Sequence, residues 1–301
     1  MPVILVAGGT GLIGSRLSDM LREKGHVVRI LTRTPKGEGQ FAWDPAASAI
    51  DEKALQGADF VVNLAGAGIA DKRWTPSRKR LIISSRVQSA RTLRDAFLRT
   101  GIRPQACLST SAIGYYGNSG ERWMTEIDAP AGKDFMTDCC RQWEDAASEI
   151  SALGIRTVIF RTGLVLAKEG GVLAEFVKPL RFGIGGYFAD GRAWYSWIHL
   201  DDVCRMFLWA IDNKQAEGVY NAVAPQPVRN KEFVKAIARA MQRPAIFAPG
   251  PAFVMRLALG EMATAVLNSN RISAEKIMKA GFSFQYENLA GALKAIFKAN
   301  P

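Results

Sequence analysis

Short unbroken apolar runs recur along this chain, separated by longer stretches in which apolar positions return every three or four residues. Val3-Ile4-Leu5-Val6-Ala7, Val27-Val28-Arg29-Ile30-Leu31, Asp59-Phe60-Val61-Val62-Asn63-Leu64, Ala106-Cys107-Leu108-Ser109-Thr110-Ser111 and Arg156-Thr157-Val158-Ile159-Phe160-Arg161 read as strands. Helices are predicted from about Ser15 to Lys24, closing at Gly25; from about Pro76 to Arg99, ended by Gly101; and from Phe135 to Ser151. This alternation predicts an α/β fold built on a doubly wound parallel sheet with right-handed crossovers.

The regularity fades past Gly163. Gly170-Gly171 and Gly183-Ile184-Gly185-Gly186 punctuate a loop-rich stretch that reaches Ser196-Trp197-Ile198-His199. Asp201-Asp202 is expected to cap a helix running to Ile211, and Val219-Tyr220-Asn221 reads as one more strand of the main sheet. From Asn230 the pattern is mostly helical. The expected organisation is a dinucleotide-binding Rossmann domain over 1–167, completed by about 198–224, with a smaller, mainly helical substrate-side lobe formed by 168–197 and 225–301.

The first strand runs into Gly8-Gly9-Thr10-Gly11-Leu12-Ile13-Gly14, and a helix follows directly. Glycines at this spacing allow a tight turn, a close approach of backbone to a pyrophosphate, and close packing of helix on strand. The N–H groups and positive dipole end of the helix favour an anion there. The order strand, turn, helix supplies the context that the glycine spacing alone lacks, so Gly8, Thr10, Gly11, Leu12, Ile13 and Gly14 are expected to hold a dinucleotide. About twenty residues on, where an acidic residue would accept from an adenosine ribose, the chain reads Thr32-Arg33-Thr34-Pro35-Lys36. Arg33 instead offers a planar fork for a 2′-phosphate, which favours NADP(H) over NAD(H). The strand ending at Asn63 leads into Leu64, Ala65 and Gly66, small enough in part for a ribose to lie against backbone, and Ser109 and Thr110 bring hydroxyls to the same end of the sheet.

Composition narrows the classes. A hydrophobic share of 48% over 301 residues suits a globular enzyme-sized chain, and no apolar stretch has membrane-spanning length. The N-terminus enters a strand at once, with no leader pattern, so a cytoplasmic location is the expectation and no membrane partner is expected. Cys107, Cys139, Cys140 and Cys204 lack zinc-cluster spacing and, with two histidines in the chain, no metal is expected. The net charge of +11 is compatible with acidic ligands, but no nucleic-acid-binding signature accompanies it, so no nucleic-acid partner is expected. Of the dense basic segment, Arg78, Lys79 and Arg80 read as a solvated helix face, whereas Lys72, Arg73 and Arg86 are open to an anion-binding role.

Taken together, the motifs resemble those of the extended and atypical short-chain dehydrogenase/reductase superfamily, and within it the NAD-dependent epimerase/dehydratase-like group of epimerase family proteins. The resemblance rests on the glycine turn, Asn63-Leu64-Ala65-Gly66-Ala67-Gly68-Ile69, Lys72-Arg73-Trp74-Thr75, Ser84-Ser85-Arg86-Val87, Ser111-Ala112-Ile113-Gly114-Tyr115-Tyr116-Gly117, Trp143-Glu144 and Ser196-Trp197-Ile198-His199, spanning nearly the whole chain. It implies that Ser111 matches the superfamily's active-site serine, that Arg161 and Gly163 belong to the element flanking the nicotinamide, and that Arg192 and Trp197 sit where relatives bind substrate.

One departure matters. The superfamily's proton donor is a Tyr followed four residues later by a Lys; here the residues four after Tyr115, Tyr116, Tyr187, Tyr195, Tyr220 and Tyr286 are Ser119, Gly120, Gly191, His199, Ala224 and Ala290. The helix from Phe135 to Ser151 offers Cys139 or Cys140 and Trp143 or Glu144 in the dyad's place. Candidate catalytic residues are therefore Ser111, Tyr116 and Cys140, although a buried structural thiol is the plainer account of Cys140 and a strand-end hydroxyl an equal account of Ser111. Lys72, Arg73, Arg86, Tyr115, Arg192 and Trp197 are the candidate substrate-binding residues. Two functions remain open: an NADP(H)-dependent oxidoreductase or nucleotide-sugar-type epimerase acting on a small polar or anionic substrate as a monomer or homodimer, and a non-catalytic NADPH-binding redox-sensing or regulatory protein.

Overall fold

The computed structural model describes residues 1–251, 253, 257 and 260–298. In chain order its elements are β1 (Val3–Ala7), α1 (Leu12–Glu23), β2 (Val27–Thr32), β3 (Gln40–Asp44), β4 (Ala49–Ile50), β5 (Phe60–Asn63), α2 (Pro76–Thr100), β6 (Ala106–Ala112), β7 (Trp123–Met124), α3 (Phe135–Ser151), β8 (Arg156–Thr162) and β9 (Leu164–Leu166). Then follow α4 (Gly171–Leu180), β10 (Ile184–Phe188), β11 (Trp194–Tyr195), β12 (Trp197–His199), α5 (Leu200–Asp212), β13 (Gly218–Ala222), β14 (Val228–Arg229), α6 (Asn230–Ala240), β15 (Ile246–Gly250), α7 (Ala263–Leu267), β16 (Arg271–Ile272), α8 (Glu275–Lys279) and α9 (Leu289–Lys298). Two compact units result, each discontinuous in sequence.

The first unit comprises Met1–Ala112, Asp138–Arg161 and Cys204–Tyr220. Its eight-stranded sheet has the order β13-β8-β6-β5-β1-β2-β3-β4. β1 lies between β2 and β5 and is parallel to both, so the strand order reverses there. That reversal sets the ligand crevice of such folds at the carboxyl ends of β1 and β5. The apolar runs become strands because both faces are covered: Ile4, Leu5, Val6 and Ala7 are wholly buried, and Leu5, Leu31, Val61, Leu93, Phe97 and Trp43 share one core. The β3–β4 hairpin extends the sheet by an edge that the sequence reading did not include. Within Gln40-Phe41-Ala42-Trp43-Asp44 only Trp43 is buried, between exposed Ala42 and Asp44, as at the edge of a sheet covered on one face.

The second unit comprises Ile113–Thr137, Thr162–Val203 and the chain from Asn221 on. Its strands form two-stranded pairs, β10 with β15, β11 with β14, β12 with β9 and β16 with β7. Edge-to-face aromatic contacts organise its core, with Phe176 and Phe233 ring centres 5.2 Å apart and Tyr195 and Phe233 5.7 Å apart. Trp197 belongs to that core; it is wholly buried and its indole N–H donates to the Gln226 carbonyl at 3.0 Å. The expected cap of α5 is corrected. Asp201 and Asp202 stand inside its first turn, and the Asp202 carboxylate accepts instead from the backbone N–H groups of Gln285 at 2.8 Å and Tyr286 at 2.9 Å.

Candidate functional site

The chain leaves β1 through Gly8, whose φ of +78° is the left-handed region that suits glycine. The Gly11 N–H closes the turn by donating to the Gly8 carbonyl at 3.1 Å, and α1 starts at Leu12. A Cβ on Gly14 would stand 2.2 Å from the Gly8 oxygen, and one on Gly8 would stand 2.8 Å from the Leu64 carbonyl. Gly8 and Gly14 are therefore required by contact, the first against the turn after β5, the second against the turn after β1. Gly11 caps α1 without any side-chain hydrogen bond, so the first-turn N–H groups of Leu12, Ile13 and Gly14 point out of the helix end. Thr10 is exposed beside them, and Arg33 is exposed just past the end of β2.

The turn after β5 is built tightly. Leu64 N–H donates to the Ala7 carbonyl at 2.9 Å, Asn63 Oδ1 accepts from Ala65 N–H at 3.2 Å, and Asn63 Nδ2 donates to Ser89 Oγ at 3.1 Å. Ala67 N–H donates to Ser85 Oγ at 3.0 Å. Arg86 is 6% exposed, which corrects its expected role as a free cation. Its Nη1 donates to the Ala67 carbonyl at 3.0 Å and the Ile82 carbonyl at 2.9 Å, and its guanidinium lies 4.9 Å over the Trp143 ring. Burial pulls its pKa below the ordinary guanidinium value. Gly66 packs directly on it, since a Cβ there would come within 3.1 Å of the Arg86 Cζ. Arg78 is likewise no solvated cation: its Nη2 donates to the Gly68 carbonyl and to Asp71. Lys72 and Arg73 are exposed.

At the end of β6, Ser109, Thr110 and Ser111 are all buried, and Ser109 Oγ donates to the Thr110 carbonyl at 3.3 Å. Ser111 Oγ donates to Glu144 Oε1 at 2.6 Å. Arg161, from β8, grips the same carboxylate from the other side, Nε on Oε1 at 2.9 Å and Nη2 on Oε2 at 2.8 Å. The exposures of Ser111, Glu144 and Arg161 are 2%, 7% and 3%, so an ion pair and a short hydrogen bond are sealed inside the first unit. Arg161 thus has a partner that the sequence reading did not give it. The sequence reading offers Glu144 only in the dyad's place and not among the candidate site residues; the signal available was the Trp143-Glu144 pair within the family resemblance.

The remaining candidates separate from this cluster. Cys140 is adjacent on α3 but wholly buried, and burial pushes its thiol far above the ordinary range, so it stays protonated and is no nucleophile. Cys139 is raised for the same reason. Tyr116, a candidate catalytic residue from the sequence, lies in the second unit, wholly buried, with its hydroxyl donating to Asn221 Oδ1 at 2.7 Å. Tyr115 is half-buried with its ring 5.4 Å from that of Tyr116. Trp197, buried as described, offers no surface to a substrate, and Arg192 is exposed in the same unit. Gly163 also belongs there, and a Cβ on it would fall 2.6 Å from the Ser196 carbonyl.

A parallel sheet whose order reverses at β1, with a glycine turn opening onto a helix end at that point, defines a dinucleotide-fold protein of the short-chain dehydrogenase/reductase class. The sequence pattern of the NAD dependent epimerase/dehydratase family matches residues 4–223, and the chain belongs to that family. Residues 251–296 match a domain of unknown function, DUF1731. An epimerase family protein of Staphylococcus haemolyticus is 38% identical over 305 residues, covering 99% of this chain and 100% of its own length. Among solved structures, the human epimerase family protein SDR39U1 (isoform 2) with NADPH superposes with a TM-score of 0.89 at 30% identity, covering 98% of this chain and 99% of that one. A nucleoside-diphosphate sugar epimerase from Corynebacterium glutamicum gives 0.81 at 31% identity and covers 99% of this chain and 58% of that one. Among the described residues, no helix is long and apolar enough to cross a membrane.

Proposed function

We propose that this protein binds NADP(H) against the Gly8–Gly14 turn and acts as an oxidoreductase or epimerase on a small polar or anionic substrate, without the Tyr-x-x-x-Lys dyad. The observation that carries the reading is the cradle itself: two glycines at which a Cβ would collide with backbone, beside a helix end that no side chain caps. The human relative of the same length, solved with NADPH, supports the cofactor class. Arg33, exposed past β2 where no carboxylate stands, supports the phosphorylated form.

In this reading the cofactor, when bound, supplies or takes up a hydride. The chain's own groups do the rest. N–H groups of Leu12, Ile13 and Gly14 receive the pyrophosphate, helped by Thr10, and Arg33 receives the 2′-phosphate. Backbone at Leu64, Ala65 and Gly66, held in place from beneath by Arg86, lines the ribose, and the Ser109–Thr110 stretch of β6 borders it. Ser111 orients the reacting oxygen, and Lys72 and Arg73 offer charge to an anionic substrate.

A titration of protein fluorescence with NADPH and NADH tests the reading. Stoichiometric binding with NADPH about tenfold or more tighter is expected, given the usual strength of charge-assisted hydrogen bonds to a phosphate. Absence of NADPH binding at micromolar protein would overturn it. A second reading, a non-catalytic NADPH-binding regulator, draws on the commitment of the Ser111 proton to Glu144 and the want of a Tyr–Lys pair. Stoichiometric binding without turnover across carbonyl compounds and nucleotide sugars selects it.

A further inference from the structure

Two turns of the second unit lie side by side at the head of the β10–β15 ribbon: Arg181-Phe182-Gly183 leads from α4 into β10, and Arg243-Pro244-Ala245 leads from α6 into β15. The Ile246 N–H donates to the Gly183 carbonyl at 2.9 Å and Ile184 faces Ile246 in the parallel register, so the two turns make one tip. Its large apolar side chains stand outward. Phe182 is 84% exposed, Ile246 81% and Ile184 56%, whereas the residues that follow, Gly185 and Phe247, pack on each other, a Cβ on Gly185 coming 2.4 Å from the Phe247 ring. Three such side chains clustered in water are a feature that the core does not explain.

Charge around the tip has one sign. Arg181 and Arg243 are exposed, and among the described residues neither forms an ion pair. No Asp or Glu stands between Glu175 and Asp190, nor between Glu232 and Glu261, the two stretches that carry the tip. A second copy docked face to face would bring cations against cations, with no carboxylate from either stretch to offset them. An anionic lipid surface answers both properties at once: apolar side chains that protrude almost whole enter the acyl boundary, while the guanidinium groups stay at the level of the phosphates.

We propose that Phe182, Ile184 and Ile246, flanked by Arg181 and Arg243, form a docking tip for an anionic phospholipid surface. The proposal goes beyond the cofactor reading and does not depend on it. It departs from the expectation of no membrane partner, which rested on the want of a spanning segment; a peripheral contact needs none.

Vesicle flotation of the full chain tests it, comparing phosphatidylcholine alone with phosphatidylcholine carrying about one-third phosphatidylglycerol. Binding to the anionic vesicles is expected, weakening with salt and not displaced by soluble glycerophosphoglycerol, which has the headgroup without the acyl chains. Phe182→Ser with Ile246→Ser leaves the net charge unchanged and is expected to weaken binding about tenfold or more. Arg181→Gln and Arg243→Gln are each expected to weaken it about fivefold, and none of these variants should alter NADPH affinity. Because all four native cysteines are buried, Pro244→Cys supplies one accessible thiol at the tip for an environment-sensitive dye, whose emission is expected to shift to the blue on anionic vesicles. Four results would each overturn the proposal. They are no flotation with anionic vesicles, equal flotation of wild type and the double serine variant, displacement by the free headgroup, and a dimer in sedimentation that the double serine variant abolishes.

Discussion

Single methyl groups decide what the cradle after β1 can hold. Gly14→Ala would place its Cβ 2.2 Å from the Gly8 oxygen, so the turn must open. The expected result is a loss of NADPH affinity of about tenfold or more together with a lower melting temperature, read by fluorescence titration and thermal denaturation. The buried pair at the end of β6 makes a second demand. Arg161→Met leaves Glu144 charged and enclosed without its counter-ion, and is expected to cost about 3–5 kcal/mol in urea unfolding, whereas Glu144→Leu with Arg161→Met together should recover most of that loss. Equal destabilisation in single and double variants would refute the pairing argument. The glycines were legible in the sequence because their constraint is local, a turn between one strand and the next helix. Glu144 was not, because its partners are Ser111, 33 residues earlier, and Arg161, 17 residues later, and only the adjacency of β6 and β8 in the sheet brings those two to one carboxylate. Tyr116 misled for the opposite reason, since its place beside the serine strand in sequence says nothing of the Asn221 partner, 105 residues away.

The helix α2 shows how far local signals reach at the level of an element. Thr75 caps its start, with Oγ1 accepting from Arg78 N–H at 3.2 Å, Pro76 takes the first position, and Gly101 ends it at φ +71°. Pro76 and Gly101 mark these boundaries in the sequence alone. A Cβ on Gly101 meets nothing within 4 Å, so Gly101→Ala should cost about 1 kcal/mol through backbone conformation alone, with no change in NADPH affinity, as measured by chemical denaturation and titration. A larger loss would mean that the α2 end bears on the cofactor site. The α5 start was misread because Asp201 and Asp202 have the composition of a cap, while the Asp202 carboxylate is claimed by Gln285 and Tyr286 from 83 and 84 residues further on. The edge hairpin β3–β4 escaped because β3 has five residues with only Trp43 buried and β4 has two, too short for an apolar run or an alternation to show.

At the scale of the molecule, buried thiols and surface ion pairs respond to solution conditions in different ways. All four cysteines are buried, and burial pushes the Cys107 thiol up to about 12 and Cys140 further. Ellman's reagent at pH 8 is therefore expected to find almost no reactive thiol in the native protein and all four in denaturant; rapid native reaction would contradict the packing. In the second unit, Arg229 at 2.6 Å and the Trp194 indole N–H at 2.9 Å pull the Glu121 carboxyl down to about 2. Its folded pKa is depressed, so its contribution is whole above the ordinary value of about 4.3 and drains away as the pH falls from there toward about 2. The melting-temperature gap between wild type and Glu121→Gln is thus expected to narrow from pH 6 to pH 2, and also to narrow in concentrated salt, where exposed charges are screened. Arg86 answers to neither variable in that way. Its bonds run to the carbonyls of Ala67 and Ile82 and to the face of Trp143, sheltered from bulk ions. In brine that strips the outer charges of their influence, the loop after β5 would keep its shape, and halotolerance would be a property of this loop even where the rest of the surface has none.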